Sequence, residues 1–215
     1  MVRNGKDDLM KRIAKQLLGL AYRLGFRALF NRGEIPALLN ARGLVGEGAE
    51  IGVKHGQFSE FLLDHWRGRL LYSVDPWREF SRDVYHDNDN VGQREQDRNY
   101  EITSNRLRRF GSRSKLLRMT SEEAAAVIPD ASLDFVYLDA RHDYASVKED
   151  IAFWYPKVKP GGVLAGHDYI DGEIGDTRFG VKSAVDEFVR AHKLCVSVTL
   201  REPVYKSWMV VKPSR

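Results

Sequence analysis

The chain has 215 residues, of which 43% are hydrophobic and 30% are charged, and its formal net charge is +4. These values are typical of a globular protein with one large domain, and the mild positive charge does not by itself indicate binding to nucleic acid. The single cysteine, Cys195, excludes a disulfide framework and a cysteine-based metal cluster, and no run of about 18 apolar residues predicts a membrane-spanning helix.

The N-terminal segment carries charges throughout MVRNGKDDLMKRIAK, which argues against a signal peptide and favours a cytoplasmic protein. Apolar residues then recur at helical spacing and predict one or two helices over residues 6–30: Leu9, Ile13, Leu17, Leu20 and Leu24. We predict a helical extension over residues 1–42 and a main domain over residues 43–215. Packing of this amphipathic segment on the domain, or on a second copy in a homo-oligomer, is favoured over peripheral contact with anionic lipid, which stays an alternative. A short helix is predicted over residues 37–40.

The stretch from Leu44 to Leu63 predicts a strand, a glycine turn and the start of a helix near Phe58. Such a turn brings backbone N–H groups and the positive end of a helix toward a nucleotide-like ligand. The spacing from Glu50 to Gly52 and Gly56 differs from the Gly-x-Gly-x-x-Gly of dinucleotide sites, and a carboxylate would repel a pyrophosphate. The turn therefore favours a ligand that carries positive charge and hydroxyl groups.

A second strand, in RGRLLYSVDPW, ends at Asp75. A carboxylate at the end of the second strand of an open α/β sheet can accept hydrogen bonds from ribose hydroxyls, and Trp77 offers a flat face to an adenine. The polar segment over residues 78–99 predicts an exposed loop or a lid, with the solvated loop favoured. A helix is predicted over residues 100–110.

The second half of the chain alternates strands and helices. After the strand SKLL, Ser121 is the predicted N-cap of a short helix, and the apolar stretch 133–138 predicts a strand that ends at Asp139, followed by His142. A helix over residues 146–154 leads to the turn KPGG and the strand VLAG, which ends at His167 and Asp168. This order predicts a doubly wound, Rossmann-like α/β fold with a mostly parallel sheet. A last helix, over residues 182–191, precedes two extended segments that predict a closing antiparallel hairpin, residues 195–200 and 207–211.

Four motifs in this order resemble the class I S-adenosylmethionine-dependent methyltransferases: EIGVKHG, SVDPW, the Asp139 to Tyr144 segment and KPGGVLAGHDY. The similarity extends from Leu44 to the C-terminus and is greatest to the small-molecule O-methyltransferases that act on macrolide sugars and catechols. It implies a seven-stranded sheet and S-adenosylmethionine as the cofactor. It also implies that Glu50 and the two glycines of the turn hold the methionine part.

The resemblance also assigns roles to the residues at the other strand ends. Asp75 would bind the ribose, with Trp77 beside the adenine and Ser121 at its edge. The metal-dependent members imply a divalent ion on three residues: Asp139, His167 and Asp168. Because imidazole is not a preferred magnesium ligand, His167 departs from the family pattern and leaves open a metal-poor site or a softer ion, Mn²⁺ or Fe²⁺ in place of Mg²⁺.

The predicted reaction is methyl transfer to a hydroxyl oxygen of a small acceptor, such as a sugar, a polyhydroxylated metabolite or a phenol. His142 is the candidate base, and Asp139 could serve instead. The alternatives are a nitrogen acceptor, an NAD-dependent oxidoreductase, which Glu50 disfavours, and a cofactor-binding or membrane-associated module without catalysis.

Overall fold

The computed structural model describes residues 29–81 and 90–214. The predicted helix over residues 6–30 lies almost wholly outside the described residues, as does the middle of the polar segment that follows Trp77.

Helices and strands alternate through the described part of the chain. A 3₁₀ turn, Arg32–Glu34, precedes six α-helices: α1 Ile35–Ala41, α2 Gln57–His65, α3 Gln93–Leu107, α4 Ser121–Val127, α5 Tyr144–Trp154 and α6 Val181–Ala191. The first five strands are β1 Glu47–Ile51, β2 Leu70–Val74, β3 Ser114–Leu117, β4 Leu133–Leu138 and β5 Val158–Gly166. The remaining four are β6 Asp171–Ile174, β7 Thr177–Gly180, β8 Val196–Val198 and β9 Trp208–Val211. None of the described helices combines the length and the apolar character that crossing a membrane requires.

A seven-stranded sheet has the order β3-β2-β1-β4-β5-β9-β8. The first five strands in this order run parallel, and β9 pairs antiparallel with both β5 and β8. The predicted Rossmann-like sheet with an antiparallel C-terminal hairpin is therefore confirmed. The strand order reverses between β1 and β4, and in such sheets ligands bind at the carboxyl ends of the strands beside this reversal.

Both faces of the sheet are covered by helices. On one face α4, α5 and α6 bury a cluster that includes Trp154 and Trp208, and on the other α1 and α2 pack around Trp66. Each large apolar side chain that becomes fully buried stabilises the fold by about 1.5–3 kcal/mol. Ile35 and Leu39 of α1 are fully buried in the second cluster, so the described part of the extension packs on the sheet. The boundary between residues 42 and 43 stays a prediction.

The helix α3 begins earlier than predicted. It starts at Gln93 instead of near residue 100, so residues 93–99 are helical and do not belong to a loop, and its C-terminal end passes into a 3₁₀ segment, Arg108–Arg113. The residues on its buried face are largely polar: Gln96, Asn99, Thr103 and Leu107. Hydrophobic periodicity is the main sequence signal of a helix. Because the buried face of α3 is polar, its first two turns could not be recognised from the sequence.

The N-cap of α4 also differs from the prediction. Thr120, not Ser121, is the capping residue, and its hydroxyl accepts a hydrogen bond from the Glu123 N–H while the Glu123 carboxylate accepts one from the Thr120 N–H. This is a capping box, whose Thr-x-x-Glu spacing the sequence carries. Ser121 is therefore the first helical residue, and its hydroxyl is available for other contacts.

Sequence patterns did not predict the β6–β7 hairpin. Ile174 pairs with Thr177 across a two-residue turn that begins at Gly175, whose φ is +59°. Glycine at a positive φ is the usual residue of such a tight hairpin turn. The hairpin brings Phe179 to the same edge of the sheet as the ends of β4 and β5.

Candidate functional site

A cavity of about 640 Å³ opens at the carboxyl ends of the parallel strands. Its walls include the acidic residues that follow or end four of them: Glu50 in β1, Asp75 after β2, Asp139 after β4 and Asp168 after β5. This volume lies within the range of about 300–1,000 Å³ that is usual for small-molecule sites. The four acids therefore lie at one edge of the sheet.

Glu50 is 2% exposed and faces two serine hydroxyls at the base of the cavity. Ser59 donates a short hydrogen bond to its carboxylate, and the Ser59 and Ser73 hydroxyl oxygens lie 2.7 Å apart. Burial raises the pKa of Glu50 from 4.5 to about 8, because desolvation outweighs the hydrogen bond from Ser59. A cationic group brought next to Glu50 would favour its ionised form.

The two glycines of the turn have structural tasks of different kinds. Gly52 has a φ of +84°, and a Cβ there would lie 2.0 Å from the carbonyl oxygen of Asp139, so glycine permits the close approach of β1 and β4. Gly56 has a φ of +72° at the N-cap of α2, where a Cβ would lie 2.9 Å from a methyl carbon of Thr103. Gly52 lines the cavity but Gly56 does not, so Gly56 shapes the turn without facing the space where a cofactor would bind.

Asp75 connects the glycine turn to the end of β2 through hydrogen bonds to backbone N–H groups. Its Oδ2 accepts hydrogen bonds of 2.9 Å from the N–H groups of Val53 and Lys54, and its Oδ1 accepts one of 2.8 Å from the N–H of Trp77. A carboxylate offers about four acceptor positions, so these three bonds leave one, on Oδ1. Asp75 lines the cavity and can accept one further donor there without loosening the turn.

Trp77 does not lie where the sequence predicted. Its indole is fully buried and packs at 5.1 Å, edge to face, against the ring of Tyr100, while its Nε1–H donates to the carbonyl oxygen of Lys54 at 2.9 Å. Because Trp77 is not among the residues that line the cavity, its placement does not support a stacking contact with an adenine. The indole packs instead on α3, through Tyr100, and on the turn after β1, through the Lys54 carbonyl oxygen.

Ser121 belongs to a polar group on the cavity wall between α4 and α5. Its hydroxyl oxygen accepts a hydrogen bond of 2.8 Å from Trp154 Nε1–H, and its hydroxyl group also hydrogen-bonds to the carboxyl group of Asp150. Burial raises the pKa of Asp150 from 3.8 to about 6, and the hydrogen bond with Ser121 opposes this shift only in part. Ser121, Asp150 and Phe153 all line the cavity.

Two acids and two histidines meet at the ends of β4 and β5. His142 Nε2 lies 3.0 Å from Asp168 Oδ2, and His167 Nδ1 lies 3.1 Å from Asp168 Oδ1 and 3.7 Å from Asp139 Oδ1. Asp168 has a φ of +53°, a strained conformation for a residue other than glycine and one that is concentrated at functional sites. The backbone thus holds the Asp168 carboxylate between the two imidazole rings.

The charges in this cluster act on one another. Burial acts to raise the pKa of the Asp168 carboxyl, but its hydrogen bonds with the two histidines outweigh burial and the pKa is strongly lowered. Burial also opposes protonation of His167, yet Asp168 and Asp139 outweigh it and raise the pKa of this imidazole. The pKa of Asp139 is raised, chiefly by burial. The cluster therefore keeps Asp168 ionised next to a histidine base.

A divalent ion would find suitable donors in this cluster. One ligand atom from each of Asp139, His142 and Asp168 can be chosen so that all lie within 4.8 Å of one another. This set contains His142 where the sequence predicted His167, whose Nδ1 is directed at Asp168. Two carboxylates and one imidazole are a donor set that suits Mn²⁺ or Fe²⁺ at least as well as Mg²⁺.

Sequence patterns did not identify several lining residues. Arg32 lies over the ring of Phe58, with its guanidinium carbon 5.0 Å from the ring centroid, and its NH1 is 3.5 Å from Asp139 Oδ2. Phe179 and Tyr205 form an aromatic pair at the mouth, with ring centroids 5.9 Å apart. These residues come from a 3₁₀ turn, a hairpin and a loop that carry no motif, so no local signal could have found them.

Comparison with known proteins identifies the class of the chain. Residues 49–169, more than half of the sequence, match the protein family described as a methyltransferase domain. The chain therefore belongs to this methyltransferase family. The match runs from within β1 to just past the end of β5 and includes most of the residues that line the cavity. It confirms the sequence-based prediction of a methyltransferase domain.

Solved structures share the fold at low sequence identity. An O-methyltransferase from Bacillus cereus in complex with SAH has a TM-score of 0.57 and 17% identity, over 93% of this chain and 89% of that one. The O-methyltransferase TomG from Streptomyces achromogenes, in complex with SAM, has a TM-score of 0.56 and 17% identity, over 84% and 79% of the two chains. An rRNA methylase from Streptococcus thermophilus has a TM-score of 0.54 and 16% identity, over 79% and 88%.

A curated relative is the uncharacterized protein y4gI of Sinorhizobium fredii, which is 43% identical over 68 residues. The aligned segment is 32% of this chain and only 7% of that protein.

Proposed function

We propose that this protein transfers a methyl group from S-adenosylmethionine to a hydroxyl oxygen of a small acceptor, such as a sugar, a polyhydroxylated metabolite or a phenol. The observation that carries the proposal is that one cavity joins two sets of groups. Glu50 and Asp75 offer acceptors to a cationic, hydroxyl-bearing ligand at one end. The cluster around His142 offers a base at the other.

The cofactor would lie across the ends of β1 and β2. Its amino group and sulfonium are positive, and Glu50 is a buried carboxyl that would ionise beside such charges. Arg32, at the same end of the cavity, suits the carboxylate of the methionine part. The open acceptor position of Asp75 Oδ1 suits a ribose hydroxyl, and Ser121 with Phe153 suits the adenine edge. This arrangement uses the predicted cofactor residues except Trp77 and Gly56.

Methyl transfer requires a deprotonated oxygen in line with the sulfonium. The new O–CH₃ bond forms as the S–CH₃ bond breaks, the sulfur keeps the electron pair and S-adenosylhomocysteine leaves as a neutral thioether. The hydroxyl proton would go to His142. Asp168, 3.0 Å from its Nε2, would orient the ring and stabilise the imidazolium that forms. His142 and Asp139 are the proposed catalytic residues.

The same cluster suits a divalent metal ion. Asp139 and Asp168 would hold it together with the imidazole of His167, as the family pattern implies, and His142 would then act as the base. When bound, such an ion would lower the pKa of an acceptor hydroxyl. Burial raises the pKa of Asp139, and a cation there would offset that cost.

Transfer of labelled methyl groups tests the proposal. The protein would be incubated with S-adenosylmethionine carrying a radioactive methyl group and with a panel of sugars, catechols and aminated analogues, with and without Mg²⁺ or Mn²⁺. We expect label on hydroxyl oxygens, and a His142→Gln variant should lose activity by about 10²-fold or more. His65→Gln is the matched control, because His65 is exposed on α2 outside the cavity. Label only on nitrogen acceptors, or full activity of His142→Gln, would contradict the proposal.

A further inference from the structure

A second, much smaller cavity adjoins the catalytic cluster, and the residues that line it include Asp139, His142, His167 and Asp168. Its volume is about 10 Å³. Apolar side chains close its lower part, among them Leu138, Val147 and Val181, and its upper part meets the loop over residues 139–142. Two further lining residues carry polar side-chain atoms and come from different elements, Asp150 from α5 and Trp208 from β9.

Trp208 differs from the other tryptophans of this chain. Its indole Nε1 is buried and has no hydrogen-bond partner among the described residues. The other three indoles each donate to a protein oxygen: Trp66 to Leu44 at 2.7 Å, Trp77 to Lys54 at 2.9 Å and Trp154 to Ser121 at 2.8 Å. A buried donor without a hydrogen-bond partner lowers the stability of the folded state by about 1–3 kcal/mol. An acceptor next to the Trp208 N–H would remove this cost.

Asp150 has a buried acceptor atom that lacks a donor among the residues described. Its side chain is almost fully buried, and its Oδ1 likewise lacks a hydrogen-bond partner in the described part of the chain. The hydrogen bond that Asp150 does make, with Ser121, leaves this oxygen unused. One orphan donor and one orphan acceptor thus belong to residues that line the same small cavity, whereas the third such atom, Arg106 Nε, belongs to a residue outside its lining.

We propose that this cavity is a binding site for one water molecule, which accepts a hydrogen bond from Trp208 Nε1–H and donates one to Asp150 Oδ1. A single water needs roughly 10–15 Å³ and at least two polar partners, and the site offers both. The chemistry of the two walls selects the occupant. At the position between Trp208 Nε1 and Asp150 Oδ1, a metal cation could not accept from the N–H group, and an anion would be repelled by the Asp150 carboxylate.

The water connects parts of the fold that are distant in sequence. It joins the start of β9 to α5 in a cavity that residues 139–142 also line, among them Asp139 and His142. Asp150 is then a positioning residue, since its carboxyl links Ser121 on the wall of the large cavity to the support of this loop. The two buried atoms without partners among the residues that the structure describes, and their shared cavity, are independent of which acceptor is methylated.

The indole N–H signals of the full-length protein test the site. In a ¹⁵N-labelled sample, the Trp208 indole proton should show a cross-peak to a long-lived water in NOE and ROE spectra. Trp66 and Trp77 are internal controls that should show none, because their N–H groups bind backbone carbonyls. Asp150→Asn should shift the Trp208 signal and leave these two in place. A Ser121→Ala sample excludes magnetisation relayed through the exchanging hydroxyl proton of Ser121.

A high-resolution crystal structure of the wild-type protein gives an independent readout. Density for one water within hydrogen-bond distance of both Trp208 Nε1 and Asp150 Oδ1 is the expected result. A dry cavity, a direct contact between the two side chains, or a Trp208 proton without a cross-peak to water would each overturn the proposal.

Discussion

The buried carboxyl of Glu50 predicts an unusual dependence of stability on pH. Glu50 is 2% exposed, and its pKa of about 8 in the folded protein lies well above its ordinary value of 4.5. Between these two values the unfolded chain has released the proton of Glu50 and the folded protein has not. The folded state binds more protons, so the free energy of unfolding must fall as pH rises through this window.

A Glu50→Gln variant removes this titration while it keeps the shape of the side chain. The variant should equal the wild type within about 1 kcal/mol below pH 5, because both side chains are then neutral in both states. Each pH unit of the shift corresponds to about 1.4 kcal/mol, so the variant should be more stable than the wild type by on the order of 3–5 kcal/mol near pH 8.5.

Urea unfolding followed by tryptophan fluorescence, from pH 5 to pH 8.5, measures this difference. Glu47→Gln is the matched control, because Glu47 lies on the same strand with its carboxylate paired to Arg69 and bonded to Tyr72 near the surface. A gap between Glu50→Gln and wild type that stays constant with pH would refute the reasoning, as would a variant that is less stable at every pH.

Three further predictions concern the turn, the cap and the metal. Gly52→Ala should lower the free energy of unfolding by about 3 kcal/mol or more, because its Cβ would meet the Asp139 carbonyl, whereas Gly43→Ala, with a φ of +72° and open space, should cost about 1 kcal/mol in the same urea experiment. Thr120→Ala should cost about 1 kcal/mol through loss of the capping box, seen as a lower urea midpoint; an unchanged midpoint would mean that the cap contributes nothing. Dialysis against a chelator should reduce methyl transfer, and added Mn²⁺ should restore it. Titration calorimetry should detect Mn²⁺ binding to the wild type but not to Asp139→Asn; equal binding by both would contradict the assignment.

Much of the fold could be predicted because its strands are buried runs that end in charged residues. The strand over residues 133–138 agrees with the prediction, since five of its six residues are apolar or aromatic. Acids at the ends of parallel strands must meet at one edge, so the positions of Asp75 and Asp139 followed from topology.

The parts that could not be predicted depend on contacts between distant segments. The polar buried face of α3 follows from its packing against the turn after β1, where Thr103 donates to the Lys54 carbonyl oxygen. That packing buries Trp77 and removes it from the cavity. Arg32 lines the cavity because residues 29–41 pack on the sheet. No local sequence pattern predicts this packing. Asp150 shares the buried face of α5 with Val147 and Trp154, which is only a weak sequence signal of a buried carboxyl.

Isothermal titration with S-adenosylhomocysteine, with NAD as the comparison ligand, tests the central claim most directly. We expect binding of S-adenosylhomocysteine in the micromolar range, strong loss of affinity in Glu50→Ala and Asp75→Ala, and no heat with NAD. Binding of NAD without binding of S-adenosylhomocysteine, or undiminished affinity in both variants, would contradict the account.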